Sequence, residues 1–300
     1  MSAKRKKMIY DYDEWLLPYK DVIDRRHEMI LETKERMSVD GSLSKGMNNH
    51  MYYGLHRDDK GNWVFREWAP NATKIYIIGE FNNWKRSDIY ALKPIGGGNW
   101  EIVLPSMFLD HGTLFKLYIE WKGGGAERLP AYVTRTVQDP HTKSFCAQVW
   151  DPVKPYVWKN KKPGKRPHPL IYECHIGMAT EEEKVGTFEE FRLNVLPQVA
   201  ELGYDTLQIM ALQEHPYYGS FGYQVANFYA LSSRFGTPEE FKALVDDAHG
   251  LGIAVVMDIV HSHSVDNESE GLGMFDGKED LYFYSGWQGR HPAWGSRCFD

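Results

Sequence analysis

Residues 220–263 read SFGYQVANFYALSSRFGTPEEFKALVDDAHGLGIAVVMDIVHSH. A polar, aromatic loop leads into Thr237, Pro238 and Glu240, which supply an N-cap, a proline at the first helical position and an acid at the third. Phe241, Leu244, Val245, Ala248 and Leu251 form the apolar face of the helix, and Gly252 ends it. Ile253 to Ile259 reads as a strand apolar enough to be covered on both faces. It runs out in Asp258, Val260, His261 and His263. An acid and histidines at the carboxyl end of such a strand are how a (β/α)8 barrel presents substrate-binding groups.

The rhythm upstream agrees. Leu170 to Ile176 is strand-like. Thr187 with Glu190 makes a capping box for a helix whose apolar face is Phe188, Phe191, Val195, Val199 and Leu202, stopped by Gly203. Thr206 to Met210 is a second strand. Strands alternating with helices build either an open doubly wound sheet or a barrel. No glycine-rich phosphate loop follows the first strand, which counts against a dinucleotide fold. A barrel needs roughly 250 residues, more than remain after Leu170, so a truncated barrel is expected.

Before Leu170 the pattern changes twice. Residues 151–169 carry Pro152, Pro155, Pro163, Pro167 and Pro169 among lysines and arginines, the composition of a stiff, extended linker. Residues 49–152 read as short strands between turns. Trp63 to Trp68, Lys74 to Ile78, Trp100 to Leu104 and Thr113 to Trp121 are the clearest, and in the last Phe115, Leu117, Ile119 and Trp121 alternate with polar residues. Asn82-Asn83 and Gly96-Gly97-Gly98 supply turns. Residues 8–40 look helical, with Trp15, Leu16, Tyr19, Val22, Ile23, Met29 and Ile30 near helical spacing. The predicted fold class is therefore multidomain: a helical segment at 1–48, an all-β sandwich at 49–152, a Pro-rich linker at 153–169, and the first three βα units of a (β/α)8 TIM barrel at 170–300.

Composition narrows the function. The net charge of −6 with no basic stripe argues against nucleic acid. No apolar run approaches the roughly 18 residues of a membrane span, so no membrane partner is expected. Lys4-Arg5-Lys6-Lys7 precedes Asp11, Asp13 and Glu14 rather than an apolar stretch, which reads as a solvated terminus and not a secretory signal. Cys146, Cys174 and Cys298 are far apart and lack metal or redox spacing, consistent with free thiols and a cytoplasmic location. His261 and His263 could be a metal pair, but a zinc site needs three or four convergent ligands and no third has suitable spacing. Neither a metal nor a cofactor is expected.

Y-G-S-F-G-Y-Q (Tyr218 to Gln224), S-S-R-F-G-T-P-E-E (Ser232 to Glu240) and D-I-V-H-S-H (Asp258 to His263) resemble the α-amylase superfamily of glycoside hydrolases. Within it they are similar to the 1,4-α-glucan (glycogen or starch) branching enzymes. Phe65 to Pro70 (F-R-E-W-A-P) and Gly79 to Trp84 (G-E-F-N-N-W) resemble the starch-binding module that precedes the barrel in branching and debranching enzymes. The resemblance implies a retaining double displacement: a glucan chain is cleaved at an α-1,4 bond and passed to a 6-hydroxyl, making an α-1,6 branch. Its partners would be α-1,4-glucans such as glycogen, amylose and amylopectin.

The same resemblance assigns residues. Tyr223 would stack under the reactive sugar ring, with Gln224 beside it. Asp258 would orient the catalytic floor and His263 would bond a glucose hydroxyl. Trp68, Pro70 and Trp84 are candidate glucan contacts of the sandwich, although a strand tryptophan is more often core. Glu173 and His175 in Y-E-C-H-I-G, and Glu214 with His215, read as scaffold. The nucleophilic Asp and the acid/base Glu of the family are expected beyond residue 300, so no catalytic residue is assigned, and the 300 residues alone are expected to be inactive. Two alternatives stay open: a debranching hydrolase of the same superfamily, and a catalytically inert chain that only binds glucan.

Overall fold

The structure is a computed structural model that describes residues 7–300. Most of the basic tetrad at Lys4 to Lys7 lies outside the described residues. Two compact units follow, Met1–Tyr52 and Tyr53–Asp300.

In the first unit the regular helix is Lys20–Met37, shorter than the periodicity suggests. Two 3₁₀ turns, Ile9–Asp11 and Glu14–Tyr19, precede it. Pro18, which has no N–H to give to a longer α-helix, lies inside the second of these turns, and the α-helix starts two residues after it. Lys20 Nζ and the Tyr10 hydroxyl both reach the Asp24 carboxylate, at 2.6 and 2.8 Å, and hold the first turn. No residue of the helix is buried.

The second unit begins with two sheets. Strands β1 (Gly54–Arg57), β2 (Trp63–Trp68), β5 (Asn99–Leu104) and β4 (Lys93–Gly96) form one, in the order β1-β2-β5-β4. The other is β3 (Ala72–Gly79), β6 (Leu114–Trp121), β9 (Phe145–Gln148) and β8 (Thr136–Gln138), with β7 (Gly124–Arg128) paired to β6. The alternation read in β6 is the observed one: Phe115, Leu117 and Ile119 are buried between the sheets with Trp63, Phe65, Ile75 and Ile102. Leu272, Phe275 and Phe283 enter the same core from far along the chain, so the sandwich and the carboxyl-terminal segment share one apolar interior.

Glu67 lies inside this sandwich with no exposure. Its carboxyl accepts from the Trp68 and Ala131 backbone N–H groups. Burial raises its pKa to about 7, more than the two N–H donors lower it. Between the ordinary value of 4.5 and about 7 the unfolded chain has lost this proton while the folded chain keeps it. Stability therefore falls as pH rises through that window, by up to about 3 kcal/mol in total. The Glu67→Gln protein lacks this titration. Its unfolding free energy, followed by urea titration from pH 4.5 to pH 8, should fall less steeply than the wild type's, and parallel curves would refute the assignment.

Residues 149–170 carry no helix or strand, yet the segment is pinned. The Tyr156 hydroxyl and the backbone N–H groups of Lys159 and Asn160 all donate to the Asp246 carboxylate. Burial works against the Asp246 charge, and these donors outweigh it, bringing its pKa down to about 2.

Three parallel strands follow: β10 (Ile171–Cys174), β11 (Thr206–Ile209) and β14 (Ala254–Met257), in the order β10-β11-β14. The helices that connect them start at the two capping boxes read from the sequence, Thr187 with Glu190 and Thr237 with Glu240. The first helix departs from the predicted face. A π turn at Phe191–Val195 closes with the Leu196 N–H bonded to the Phe191 carbonyl, which adds one residue to the turn. Phe188, Phe191 and Val199 stay buried, but Leu196 takes an inward place and Leu202, at the helix end, is exposed. The third strand is also less enclosed than its composition suggests. Val256, Met257 and Ile259 are exposed, because β14 is the outer strand of its sheet.

Between β11 and the second helix, β12 (Gln213–Glu214) pairs antiparallel with β13 (Asn227–Leu231). After β14, β15 (His263–Val265) pairs with β16 (Ser296–Cys298). Both excursions leave the carboxyl ends of the parallel strands.

Candidate functional site

The parallel register places Glu173, Gln208 and Val256 side by side on β10, β11 and β14. Asp258 follows just beyond, its N–H bonded to the Ile209 carbonyl at 3.0 Å, which extends the ladder and aims the carboxylate back toward Gln208. The Gln208 Nε2 group donates to Asp258 Oδ1 at 3.1 Å and reaches Glu173 Oε1 at 3.4 Å. The Tyr223 hydroxyl donates to the other oxygen of Asp258, at 3.0 Å. Burial, and then the Asp258 carboxylate, push the Tyr223 phenol up from its ordinary pKa, so it keeps the proton it donates.

His263 holds the same loop from the far side. Its Nε2 bonds the Tyr223 carbonyl at 2.8 Å and so carries the proton, since a carbonyl only accepts. In the neutral ring Nδ1 is then an acceptor, and the Ser262 hydroxyl lies 3.0 Å from it. The residue is buried. His261 turns elsewhere: it is exposed and borders a separate apolar cavity with Met257 and Ile259. The two histidines do not converge.

Tyr223, Gln224 and His263 line one open cleft of about 480 Å³ with Ser220, Ala293 and Trp294. Three of the four barrel residues singled out from sequence therefore share a cavity, and Asp258 is hydrogen-bonded to one of its walls. Gln208 and Trp294, not singled out by the sequence, adjoin these residues. A glutamine within the apolar run Thr206 to Ile209 was the available signal for the first.

The scaffold residues behave differently from one another. His175 is 8% exposed, ringed by the edges of Tyr218, Phe221 and Phe235, and burial lowers its pKa so that it stays neutral. Glu214, 1% exposed, is a hub. It accepts from Thr136, from the Ser233 N–H and hydroxyl, from the His215 N–H and from Arg234. Thr136 belongs to the sandwich, so this one carboxylate ties the two halves of the unit together.

The sandwich residues do not form one patch. Trp68 and Pro70 precede β3 and Trp84 follows it, a separation of roughly 25 Å along an eight-residue strand. The Trp68 indole is half-buried: its Nε1 donates to the Gly97 carbonyl and its ring meets the edge of Tyr282. Pro70 sits over Gly98, where a Cβ would come within 2.7 Å of the proline ring and where φ is +79°. Both residues serve this turn. Trp84 is 38% exposed and borders a groove of about 590 Å³ that Glu80, Lys116, Glu127, Gln138 and Asp139 also line. Asn83 and Trp84 are both left-handed, with φ of 53° and 60°. Such a conformation in a bulky residue costs on the order of 1–2 kcal/mol and persists where the surroundings impose it.

Residues 52–141 match the family model for carbohydrate-binding module 48 (isoamylase N-terminal domain), and residues 182–284 match that for the alpha amylase catalytic domain. The β-sandwich thus matches a carbohydrate-binding module, and the βα segment matches part of an alpha-amylase catalytic domain. It is 42% identical to a 1,4-alpha-glucan-branching enzyme of Dictyostelium discoideum, over 98% of this chain and 44% of that protein. It is 40% identical to a 1,4-alpha-glucan-branching enzyme of Yarrowia lipolytica, over 96% of this chain and 43% of that protein. The chain thus spans less than half the length of these relatives. Among solved structures, the pullulanase of Bacillus acidopullulyticus superposes with a TM-score of 0.65 at 16% identity, over 82% of this chain and 34% of that one. That likeness concerns the fold alone.

Proposed function

We propose that the protein containing this carbohydrate-binding sandwich and amylase-type barrel segment is a glucan branching enzyme. It cleaves an α-1,4-glucan and transfers the released chain to a 6-hydroxyl, forming an α-1,6 branch by a retaining double displacement, in the cytoplasm. Glycogen, amylose and amylopectin are its substrate class.

The observation that carries this reading is the Tyr223–Asp258 hydrogen bond beside a cleft that Tyr223 and His263 both line. A sugar is read by hydroxyl hydrogen bonds and by stacking of its apolar ring face. Tyr223 offers a flat, part-exposed ring fixed at its hydroxyl end by Asp258 and at its carbonyl by His263. Fixing the ring before the sugar arrives lowers the entropic cost of the encounter. Asp258 keeps Gln208 and Tyr223 in one geometry. In His263, Nδ1 is the atom able to take a sugar hydroxyl, because its present partner, the Ser262 hydroxyl, rotates freely.

Trp84 and its polar groove support glucan binding by the sandwich as a second attachment, which would raise the local concentration of chains near the cleft. The reaction itself separates branching from debranching. With amylose and the protein expressed from its complete reading frame, iodine absorbance should fall while reducing ends stay constant, because chains are transferred rather than hydrolysed. Reducing ends rising in step with the loss of iodine colour would make the protein a hydrolase.

A further inference from the structure

We propose that Trp294 is a sugar-binding residue, the second aromatic wall of the cleft that Tyr223 lines, and that it holds one glucose unit of the glucan by ring stacking. This rests on the glucan reading above.

The loop that carries Trp294 is built to present it. Strands β15 and β16 clamp the segment 266–295 at both ends, with His263 opposite Cys298 and Val265 opposite Ser296. Within the loop the N–H groups of Ala293 and Trp294 both donate to His291 Nδ1, at 3.3 and 3.2 Å. The Trp294 carbonyl accepts from Gln224 at 3.2 Å, which fastens the loop to the residue after Tyr223. The indole stacks on the His291 imidazole with centroids 3.9 Å apart and planes 9° from parallel, and it packs 5.0 Å from the His263 ring. So the side chain is fixed from behind and below, yet it remains 56% exposed. Half of a large apolar ring is left facing solvent at the wall of a cavity, although its backbone and back face are fully engaged.

The cavity chooses the ligand class. About 480 Å³ lies within the usual range for small-molecule sites. Ser220, Gln224 and His263 supply hydrogen-bonding groups at its wall, and among the described residues no carboxylate, lysine or arginine lines it. That lining, with two aromatic rings and few polar groups, suits a polyhydroxylated ring with an apolar face. The spacing of residues in the chain hides this: Trp294 lies 71 residues after Tyr223 and is brought back to the cleft by the β15–β16 pairing and the Gln224 bond.

The test uses the complete protein, with amylose as substrate and maltoheptaose as binding probe. Trp294→Ala should raise KM for amylose and Kd for maltoheptaose about tenfold, the size expected for a lost aromatic stacking contact, with kcat changed far less. Trp294→Phe should restore most of the affinity, and the melting temperature of both should match the wild type. If Trp294→Ala leaves KM and Kd unchanged while the wild type binds and branches glucan, the inference is wrong and the branching reading stands. A loss confined to kcat, or one that Trp294→Phe does not rescue, also overturns it. A wild type that neither binds maltoheptaose nor branches amylose would sink the underlying reading itself.

Discussion

Glu214→Ala should lower the unfolding free energy by about 3–5 kcal/mol, the cost of breaking a buried charge pair from one side. Glu214 is enclosed, and its two oxygens take five donors from β8, from the start of the loop after β12 and from Ser233-Arg234. Truncation strands all of them. Arg234 suffers most. It keeps the His215 and Pro216 carbonyls but loses the one carboxylate that pairs with it among the described residues, while remaining largely buried. Thr136 loses its link as well, and with it the sandwich loses a polar tie to the barrel segment. Urea unfolding of wild type and variant checks the size. Glu214→Gln, which retains an acceptor for the backbone N–H groups, should cost less than Glu214→Ala. A change below about 1 kcal/mol in the alanine variant would show that the hub is a surface-like pair of little worth.

Asp258→Ala should reduce kcat/KM of the complete protein on amylose on the order of 10²-fold, the penalty for letting a reacting group drift by about an ångström. Nothing covers the Asp258 side chain fully, so its removal should leave the melting temperature within a few degrees of wild type. What goes is the shared anchor: Tyr223 loses the acceptor for its hydroxyl and Gln208 loses its nearer carboxylate. Tyr223→Phe removes only one of those bonds and keeps the ring, so its loss should be smaller. Equal losses in Asp258→Ala and Tyr223→Phe would mean that Asp258 acts solely through Tyr223. An Asp258→Ala protein of normal activity would remove the cleft from the reaction.

The two capping boxes were legible because a cap is a local contract: Thr and Glu three residues apart bond each other's backbone whatever the rest of the fold does. The alternation in β6 was legible for the same reason. The phase slip at Leu196 was not, because a π turn is a one-residue insertion in hydrogen bonding that leaves composition untouched. Exposure of Val256 and Met257 depends on what pairs with β14, which no local pattern reports.

In the site, Tyr223, Asp258 and His263 were found from their sequence contexts and lie together. Gln208 and Trp294 join them through strand register and hairpin pairing, both long-range. The sandwich shows the reverse. Trp68, Pro70 and Trp84 are alike in the sequence as candidate glucan contacts, yet Trp68 and Pro70 pack on the Gly97-Gly98 turn while Trp84 borders an open groove.

The most direct test is the structure of the complete protein with maltoheptaose bound. A glucose ring stacked on Tyr223, with a hydroxyl within hydrogen-bonding distance of Asp258 or His263, is the predicted result. Sugar found only on the sandwich beside Trp84, with the Tyr223 cleft still empty at saturating maltoheptaose, would contradict it.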